Sequence, residues 1–374
     1  MPPYSPKQAK QFNIKEYKAI LNKNPYKALK RISKVFSPST LKPFYDCSND
    51  KNNVLKSPNQ AKERSFTLAI KIIARVLSLI YFKRGLRKSD RKKLINLLTA
   101  SVSPILLRAS DAEVRIQLTY SFIKHLYRIR RATIKDKSIE FSLLTFSCDS
   151  WCSSEYAPVV DLHRAKEDVS ALLRRYAGCD AIGVFEIQPL LNDPLRNDMG
   201  VTLMLHCHVI VWREKWSESD LKAFREKVEK RLYNGRLNSP LHKIRIKPKK
   251  NDILRVASYL PKLPGYAKRW KNQAELIDGE KALSRKRILR IMEVLSYIPQ
   301  RSLIFAVGGE ANELKRDIWR DVTAWNKTRT KNSDNTNISN AKLEALWKRT
   351  WDAIDPKYAK APVIFLRRGD KDAG

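Results

Sequence analysis

Residues 202–212 read TLMLHCHVIVW, and this stretch decides how the middle of the 374-residue chain is interpreted. Its β-branched and large apolar residues predict a buried β-strand. His206 and His208 are two of the five histidines in the chain and are separated by one residue. The two-residue period of a strand sends both imidazoles to the same face. This pattern indicates a metal site, and two ordinary half-buried strand histidines are the alternative.

Such a site needs a further ligand from a neighbouring strand. Residues 181–188 read AIGVFEIQ and predict a second strand, which precedes the first in a hairpin. Glu186 or Gln188 can then project onto the histidine face. Glu186 ranks first and Gln188 second, because a carboxylate compensates the charge of a hard divalent cation such as Mg²⁺ or Mn²⁺. An edge-strand charge that limits aggregation is the alternative interpretation of Glu186.

Strand and helix periods alternate around these two strands. Further strands are predicted at residues 141–148 and 243–247, and helices at 161–176, 219–233 and 252–263. The order β-α-β-β-α-β-α predicts an α+β fold with a central antiparallel sheet and helices packed on it. The flanking regions predict mostly helices, at residues 7–22, 61–82, 88–100, 112–131, 284–298, 310–325 and 342–354.

The last helix of this middle segment carries a polar face. Arg255, Tyr259, Lys262 and Tyr266 follow one another at helical spacings of four, three and four residues. Two prolines in the stretch kink or end the helix close to Tyr259. A phenol between two cations suits a reaction with a phosphodiester, whereas an amphipathic helix with a tyrosine at the core boundary is the alternative.

The charge of the chain indicates a polyanionic partner. Its 74 basic and 38 acidic residues give a formal net charge of +36, far beyond what solubility requires. Residues 1–137 carry 31 basic and 8 acidic residues, a balance of +23, so most of the excess lies ahead of the histidine strand. Nucleic acid is therefore the expected partner, in preference to a lysine- and arginine-coated surface without one.

Three regions follow from these patterns. Residues 1–137 form a basic helical region that is expected to bind DNA, residues 138–270 form the α+β segment, and residues 271–374 form a helical C-terminal region. Residues 327–339 predict a polar linker within the last region.

Three motifs in residues 138–270 resemble the HUH endonuclease superfamily, in particular its rolling-circle replication initiators. LLTFS at residues 143–147 is similar to the first motif, a strand reading F-L-T-L-T, and LHCHVIV at 205–211 resembles the His-hydrophobic-His motif. VASYLPK at residues 256–262 is similar to the Y-x-x-K motif. The chain departs from the pattern at Cys207, between the histidines, and at Leu263, where two-tyrosine members carry a second tyrosine.

The resemblance implies a metal-dependent tyrosine endonuclease with the HUH nuclease fold. Tyr259 would attack single-stranded DNA and leave a 5′-phosphotyrosine and a free 3′-OH. His206, His208 and Glu186 would hold Mg²⁺ or Mn²⁺, and Lys262 would stabilise charge on the phosphate or phenolate. Origin-like DNA and a host helicase are the implied partners, because the sequence has no G-x-x-x-x-G-K-[ST] motif for an ATPase of its own.

Other functions remain open from the sequence. A transposase or a mobilisation relaxase of the same superfamily shares the chemistry and differs in its DNA substrate. A non-catalytic nucleic-acid-binding protein needs only the charge. A structural zinc site formed by Cys148, Cys152, His206 and His208 is a fourth alternative. Because the helix is not expected to continue past Pro264, a single-tyrosine enzyme is predicted, and a role of Tyr266 as a second nucleophile remains open.

Cellular context is indicated by what the sequence lacks. The most apolar stretch, residues 66–82, is interrupted by Lys71 and Arg75, so a membrane span is not expected. The first residues show no signal-peptide pattern. Five cysteines without a disulfide spacing are typical of reduced thiols, and a cytoplasmic location is predicted.

Overall fold

The computed structural model describes residues 85–366, with gaps at 100–106, 134, 192, 194–199, 233–239, 247–249, 273–274, 331–337 and 361–362, and also residues 72, 75, 76, 79 and 80. The helix predicted at residues 7–22 therefore lies outside the described residues, as do most of the helix predicted at 61–82 and the centre of the predicted linker.

Nine α-helices are defined within these ranges. They are α1 (Lys88–Thr99), α2 (Ala112–Thr133), α3 (Leu162–Leu172), α4 (Glu218–Arg231), α5 (Lys250–Tyr259), α6 (Arg285–Tyr297), α7 (Gly309–Thr330), α8 (Asn340–Ile354) and α9 (Pro356–Ala359). A π-turn at Leu173–Ala177 extends α3, and a 3₁₀ turn at Gln300–Leu303 follows α6. Among these described helices, none has both the length and the apolar character required to cross a membrane.

Several helix boundaries follow from local capping chemistry. Asp161, Ser217, Ser284 and Ser339 each precede a helix, and the side chain of each accepts a hydrogen bond from a backbone N–H of the first turn. Such caps satisfy donors that the helix itself leaves unpaired. The sequence therefore specifies where α3, α4, α6 and α8 begin.

One mixed sheet forms the centre of the molecule. Its strands are β1 (Ile139–Ser154), β3 (Asp180–Leu191), β4 (Thr202–Glu214), β5 (Leu241–Arg245), β6 (Tyr266–Asn272), β7 (Glu275–Ala282) and β8 (Ile304–Val307). The hydrogen-bonded order is β5-β1-β4-β3-β6-β7, and β8 also pairs with β3. A separate small sheet pairs β2 (Val159–Val160) with β9 (Ile364–Phe365).

The α+β class predicted from the sequence is confirmed, with two corrections to the sheet. The pairing of β3 with β6 is parallel, so the sheet is mixed and not purely antiparallel. The region after residue 270, predicted as helical, also contributes β7 and β8. β8 is only four residues long, too short for its sequence pattern to predict a strand. It is formed through long-range pairing with residues 181–184 of β3.

Helices α2, α5 and α7 pack on the face of the sheet that carries the two histidines. Alternate residues of a strand share a face, and so do opposite residues of antiparallel strands. His206, His208 and Trp212 of β4 therefore lie on one face. Helix α7 covers that face, since the Trp212 indole donates a hydrogen bond to Glu310. Helix α2 also lies on it, where the Arg130 guanidinium sits 4.9 Å from the ring centre of Phe141, the residue opposite Trp212. Helix α5 packs against α2 and completes this layer.

Candidate metal centre

The register of the central hairpin places three potential ligands together. Glu186 of β3 lies directly opposite His206 of β4, and His208 follows two residues later on the same face. All three side chains are buried. Within the part of the chain that the structure describes, they form the one group of at least three histidine, cysteine or acidic residues with ligand atoms close enough to share a metal ion.

The distances between the ligand atoms fit a bound cation. The two Nε2 atoms of His206 and His208 lie 2.9 Å apart, and Glu186 Oε2 lies 3.8 Å from the first and 3.6 Å from the second. Ligands at about 2.0–2.2 Å from a metal ion are themselves separated by roughly 3–3.5 Å. Two imidazole lone pairs at such a short distance repel each other, so a proton or a cation must lie between them. Glu186, His206 and His208 could therefore hold a metal ion.

Thr145 fixes the orientation of His208. This residue of β1 lies opposite His208, and its Oγ1 is 2.9 Å from the Nδ1 atom of that ring. A neutral imidazole that binds a metal through Nε2 carries its proton on Nδ1, which can then donate to the threonine oxygen. The hydroxyl group can accept this hydrogen bond, so the contact is compatible with the tautomer in which Nε2 has a lone pair available.

Burial keeps both histidines in the neutral form. Burial, and after it the positive charges of Lys262 and Lys268, lower the pKa of His206 to about 3. The pKa of His208 is also lowered well below its usual value, mainly by burial and then by His206 and the same two lysines. Neutral imidazoles are the form that binds metal ions, so the environment prepares both rings for that role.

Cations surround the single carboxylate of the group. The Lys262 ammonium lies 3.4 Å from Glu186 Oε1. Arg115 of α2 is fully buried and is attracted electrostatically to Glu186, while burial lowers the pKa of its guanidinium to about 10. Lys268 of β6 adds a positive charge that acts on both histidines. The surroundings of the group therefore favour an anionic ligand, while the same positive charges oppose a metal ion.

The segment after α5 is held against the site from two directions. Arg115 Nη1 donates to the backbone carbonyls of Pro261 and Lys262, at 3.3 and 2.8 Å. Gln188 Nε2 donates to the carbonyl of Tyr266, at 3.2 Å. Between these anchors the residues are buried except for Lys262, whose side chain is partly exposed and reaches Glu186.

The helix that carries Tyr259 is shorter than the sequence predicts. Helix α5 ends at Tyr259 and not at residue 263, because Pro261 has no N–H to continue the helical ladder and disfavours helical geometry in the residue before it. Tyr266 begins strand β6, so it does not share a helical face with Tyr259. The Tyr259 backbone stands three residues before Lys262, and its side chain lies outside the described part of the chain.

The alternative ligands considered from the sequence take other positions. Gln188 lies opposite Met204, and its amide group is engaged with the backbone carbonyls of Pro189 and Tyr266. Cys148 and Cys152 lie at a register shift of β1, and neither joins the described metal-ligand group. The geometry favours Glu186 over Gln188, and it does not assemble the four-residue zinc site.

Three residues near the site were missed by the sequence analysis. Thr145 lies within the quoted LLTFS stretch, and its position in the strand period could have placed it beside the histidines. Arg115 and Lys268 gave no such signal, because each is one cation among 74 and reaches the site only through the tertiary fold.

In comparisons with known proteins, no family model, curated protein or solved structure matches the chain significantly. The chemistry of the site is therefore argued from its own residues. Two imidazoles and one carboxylate on one side of a cation leave its remaining positions to water or substrate. Such an arrangement can orient and polarise an oxygen of a bound anion.

Proposed function

We propose that the protein is a metal-dependent tyrosine endonuclease of the HUH type, which nicks single-stranded DNA to initiate rolling-circle replication. The observation that carries the proposal is a contact between the tyrosine-lysine motif and the Glu186–His206–His208 group. Lys262, three residues after Tyr259, forms an ion pair with Glu186 of the buried Glu186–His206–His208 group. This contact supports the assignment of the tyrosine-bearing helix end and the potential metal site to one centre.

The proposed reaction transfers a phosphoryl group to Tyr259. The phenol oxygen forms a bond to phosphorus as its proton leaves, and the bond from phosphorus to the 3′-oxygen breaks. The 3′-oxygen takes up a proton, so the products are a 5′-phosphotyrosine and a 3′-OH. Attack of a 3′-OH on the phosphotyrosine reverses these steps and rejoins strands without an external energy source.

Glu186, His206 and His208 would hold the metal ion, for which Mg²⁺ or Mn²⁺ is proposed because the carboxylate is a hard ligand. When bound, the ion supplies Lewis acidity toward a non-bridging phosphate oxygen. Lys262 would stabilise charge on the phosphate or the phenolate. The buried Arg115 holds the backbone of the turn in place through its hydrogen bonds to Pro261 and Lys262.

Single-stranded and origin-like DNA are the proposed substrates. The net charge of +36 supports a phosphate-rich partner whose binding weakens steeply with salt. Unwinding of a duplex is assigned to a host helicase, since the sequence has no P-loop motif. A cytoplasmic setting belongs to the same proposal.

The decisive experiment looks for the covalent product. Wild type, Tyr259→Phe and Tyr266→Phe are incubated with a pool of end-labelled single-stranded oligonucleotides and Mn²⁺, and adducts are separated on a denaturing gel. We expect a metal-dependent adduct in wild type and Tyr266→Phe and none in Tyr259→Phe. An adduct that persists in Tyr259→Phe and disappears in Tyr266→Phe would move the nucleophile to Tyr266.

The same gel separates the competing functions. Salt-sensitive DNA binding without any adduct would favour the non-catalytic nucleic-acid-binding protein. A transposase or relaxase would also give the adduct, so its substrate must be tested separately with hairpin, transfer-origin and replication-origin oligonucleotides. Cleavage restricted to a replication-origin hairpin supports initiation, and cleavage restricted to element ends or transfer origins contradicts it.

A further inference from the structure

The ion pair with Lys262 uses the carboxylate of Glu186, which is the negatively charged ligand that the Glu186–His206–His208 group offers to a metal ion. Glu186 is 3% exposed and the side chain of Lys262 is 13% exposed, so water screens the pair only weakly. The two carboxylate oxygens of Glu186 have different neighbours. Oε1 lies 3.4 Å from the Lys262 ammonium, and Oε2 lies 3.6 Å from His208 Nε2 and 3.8 Å from His206 Nε2.

We propose that Lys262 and the metal ion are antagonistic counter-ions of Glu186, so that metal binding loosens Lys262 and directs its ammonium to the phosphate. The inference rests on the proposed function, because it takes Glu186 as a metal ligand. A divalent ion at the histidine side repels the ammonium and draws the carboxylate charge toward itself. Conversely, an ammonium held at Oε1 weakens the attraction of the carboxylate for the ion.

The structure allows Lys262 to move while its backbone stays fixed. Arg115 holds the carbonyl groups of Pro261 and Lys262, and Gln188 holds that of Tyr266. The lysine side chain is the partly exposed element between these anchors and has four flexible carbons. Rotation of this side chain alone can therefore transfer the charge from Glu186 to a bound phosphate.

The coupling must be reciprocal. A phosphate that attracts Lys262 frees Glu186 for the metal, just as the metal frees Lys262 for the phosphate. DNA and metal ion therefore strengthen each other's binding through one lysine. The apo site keeps its carboxylate neutralised until both arrive.

The test is the affinity for Mn²⁺ itself, measured without DNA by electron paramagnetic resonance of the free ion. We expect Lys262→Met and Lys262→Gln to bind Mn²⁺ about tenfold more tightly than wild type, although both lose DNA cleavage. Lys222→Met removes the same charge from the exposed surface of α4 and should bind Mn²⁺ within about twofold of wild type. Unchanged or weaker Mn²⁺ binding in both Lys262 variants would overturn the inference.

A second measurement repeats the Mn²⁺ titration in the presence of DNA. A single-stranded oligonucleotide should tighten Mn²⁺ binding to Tyr259→Phe, which cannot form the adduct, and should narrow the difference between this protein and its Lys262→Met derivative. An undiminished difference contradicts the coupling. Failure of the proposed metal site gives another result: Mn²⁺ binds neither wild type nor the Lys262 variants more tightly than it binds Glu186→Gln, and the inference falls with it.

Discussion

Two buried polar clusters in this molecule differ in how their carboxylates are hydrogen-bonded. One cluster contains Glu155 and Glu293, and the other is the candidate metal centre around Glu186. At the end of β1, Glu155 accepts hydrogen bonds from the Val201 N–H at 2.7 Å and the Tyr358 hydroxyl at 2.8 Å. On α6, Glu293 accepts from the Arg290 guanidinium and from the Trp351 indole. In the candidate metal centre, by contrast, Glu186 meets its ammonium at 3.4 Å beside two closely spaced imidazole nitrogens.

The difference distinguishes a cluster that stabilises the fold from a group that could hold a metal ion. The Glu155–Glu293 cluster joins β1, α6, α8 and α9 through donors from several elements, and Arg290 at its centre is fully buried. A closed network of this kind has no position left for a ligand. The metal centre lacks such closure, since its two Nε2 atoms need a proton or a cation between them. Changes in the first cluster should affect folding, and changes in the second should affect binding.

The largest effect is expected from breaking the closed cluster. Arg290→Met leaves the Glu293 carboxylate and the Glu155 backbone carbonyl without their buried donor, and should lower the free energy of unfolding by about 3–5 kcal/mol. Urea unfolding followed by circular dichroism measures the loss. Arg285→Met, in the exposed first turn of the same helix, is the matched control and should cost less than about 1 kcal/mol. Equal losses in the two variants would contradict the comparison.

Removal of the metal-site carboxylate should act on binding. Glu186→Gln keeps the size of the side chain but removes its charge, and we expect Mn²⁺ affinity to fall at least about 100-fold, or ~2.7 kcal/mol. The loss in unfolding free energy should stay below half of that for Arg290→Met, because the partly exposed Lys262 can turn toward water. Calorimetric titration and urea unfolding of the same preparation test both parts. A variant that binds Mn²⁺ normally would remove Glu186 from the ligand set.

A pH dependence should come from the closed cluster. Burial raises the pKa of Glu293 from 4.5 to about 7, so the folded state holds this proton more tightly than the unfolded state. Its contribution to stability is therefore present below about pH 4.5 and is lost as the pH rises through 7, by on the order of 2 kcal/mol.

The two site histidines act in the opposite direction, because their lowered pKa values make stability rise with pH up to about 6.5. The informative quantity is therefore the difference between wild type and Glu293→Gln in unfolding free energy, measured from pH 5 to 8. That difference should shift in favour of the variant as the pH rises. A difference independent of pH would show that Glu293 does not titrate in this window.

The smallest of these effects is expected at Thr145. Thr145→Val keeps the shape and removes the hydroxyl that holds His208 Nδ1, so Mn²⁺ affinity should fall about tenfold, or ~1.4 kcal/mol. Thr145→Ser retains the hydroxyl and should remain within about threefold of wild type. Equal Mn²⁺ affinity in the valine and serine variants, each measured by calorimetry, would mean that the hydroxyl does not orient the ring.

The sequence predicted what depends on local periodicity. Two histidines at a spacing of two must share a strand face, and a hairpin partner must bring one of its residues opposite them. The choice between Glu186 and Gln188 depended on the register, which the sequence does not specify and which pairs Glu186 with His206. The end of α5 was predictable from Pro261, yet the spacing pattern extended the predicted helix beyond it.

Contacts from distant segments were not predictable. Arg115 and Pro261 are 146 residues apart in the chain, and no sequence pattern near either residue predicts their hydrogen bond. The same holds for β8, which is four residues long and enters the sheet only because β3 offers it an edge. Such features are determined by the complete tertiary packing, so they become visible only in the folded chain.

The position of Arg115 has a consequence for protein engineering. Its guanidinium lies on α2, outside the α+β segment, yet it holds the two peptide units on which the orientation of Lys262 depends. A fragment that begins at residue 138, or a chimera with a foreign N-terminal half, would lose these hydrogen bonds even if every motif residue were retained. The smallest fragment that keeps the candidate site intact therefore includes α2, the helix that precedes the motifs and supports the segment that carries Lys262.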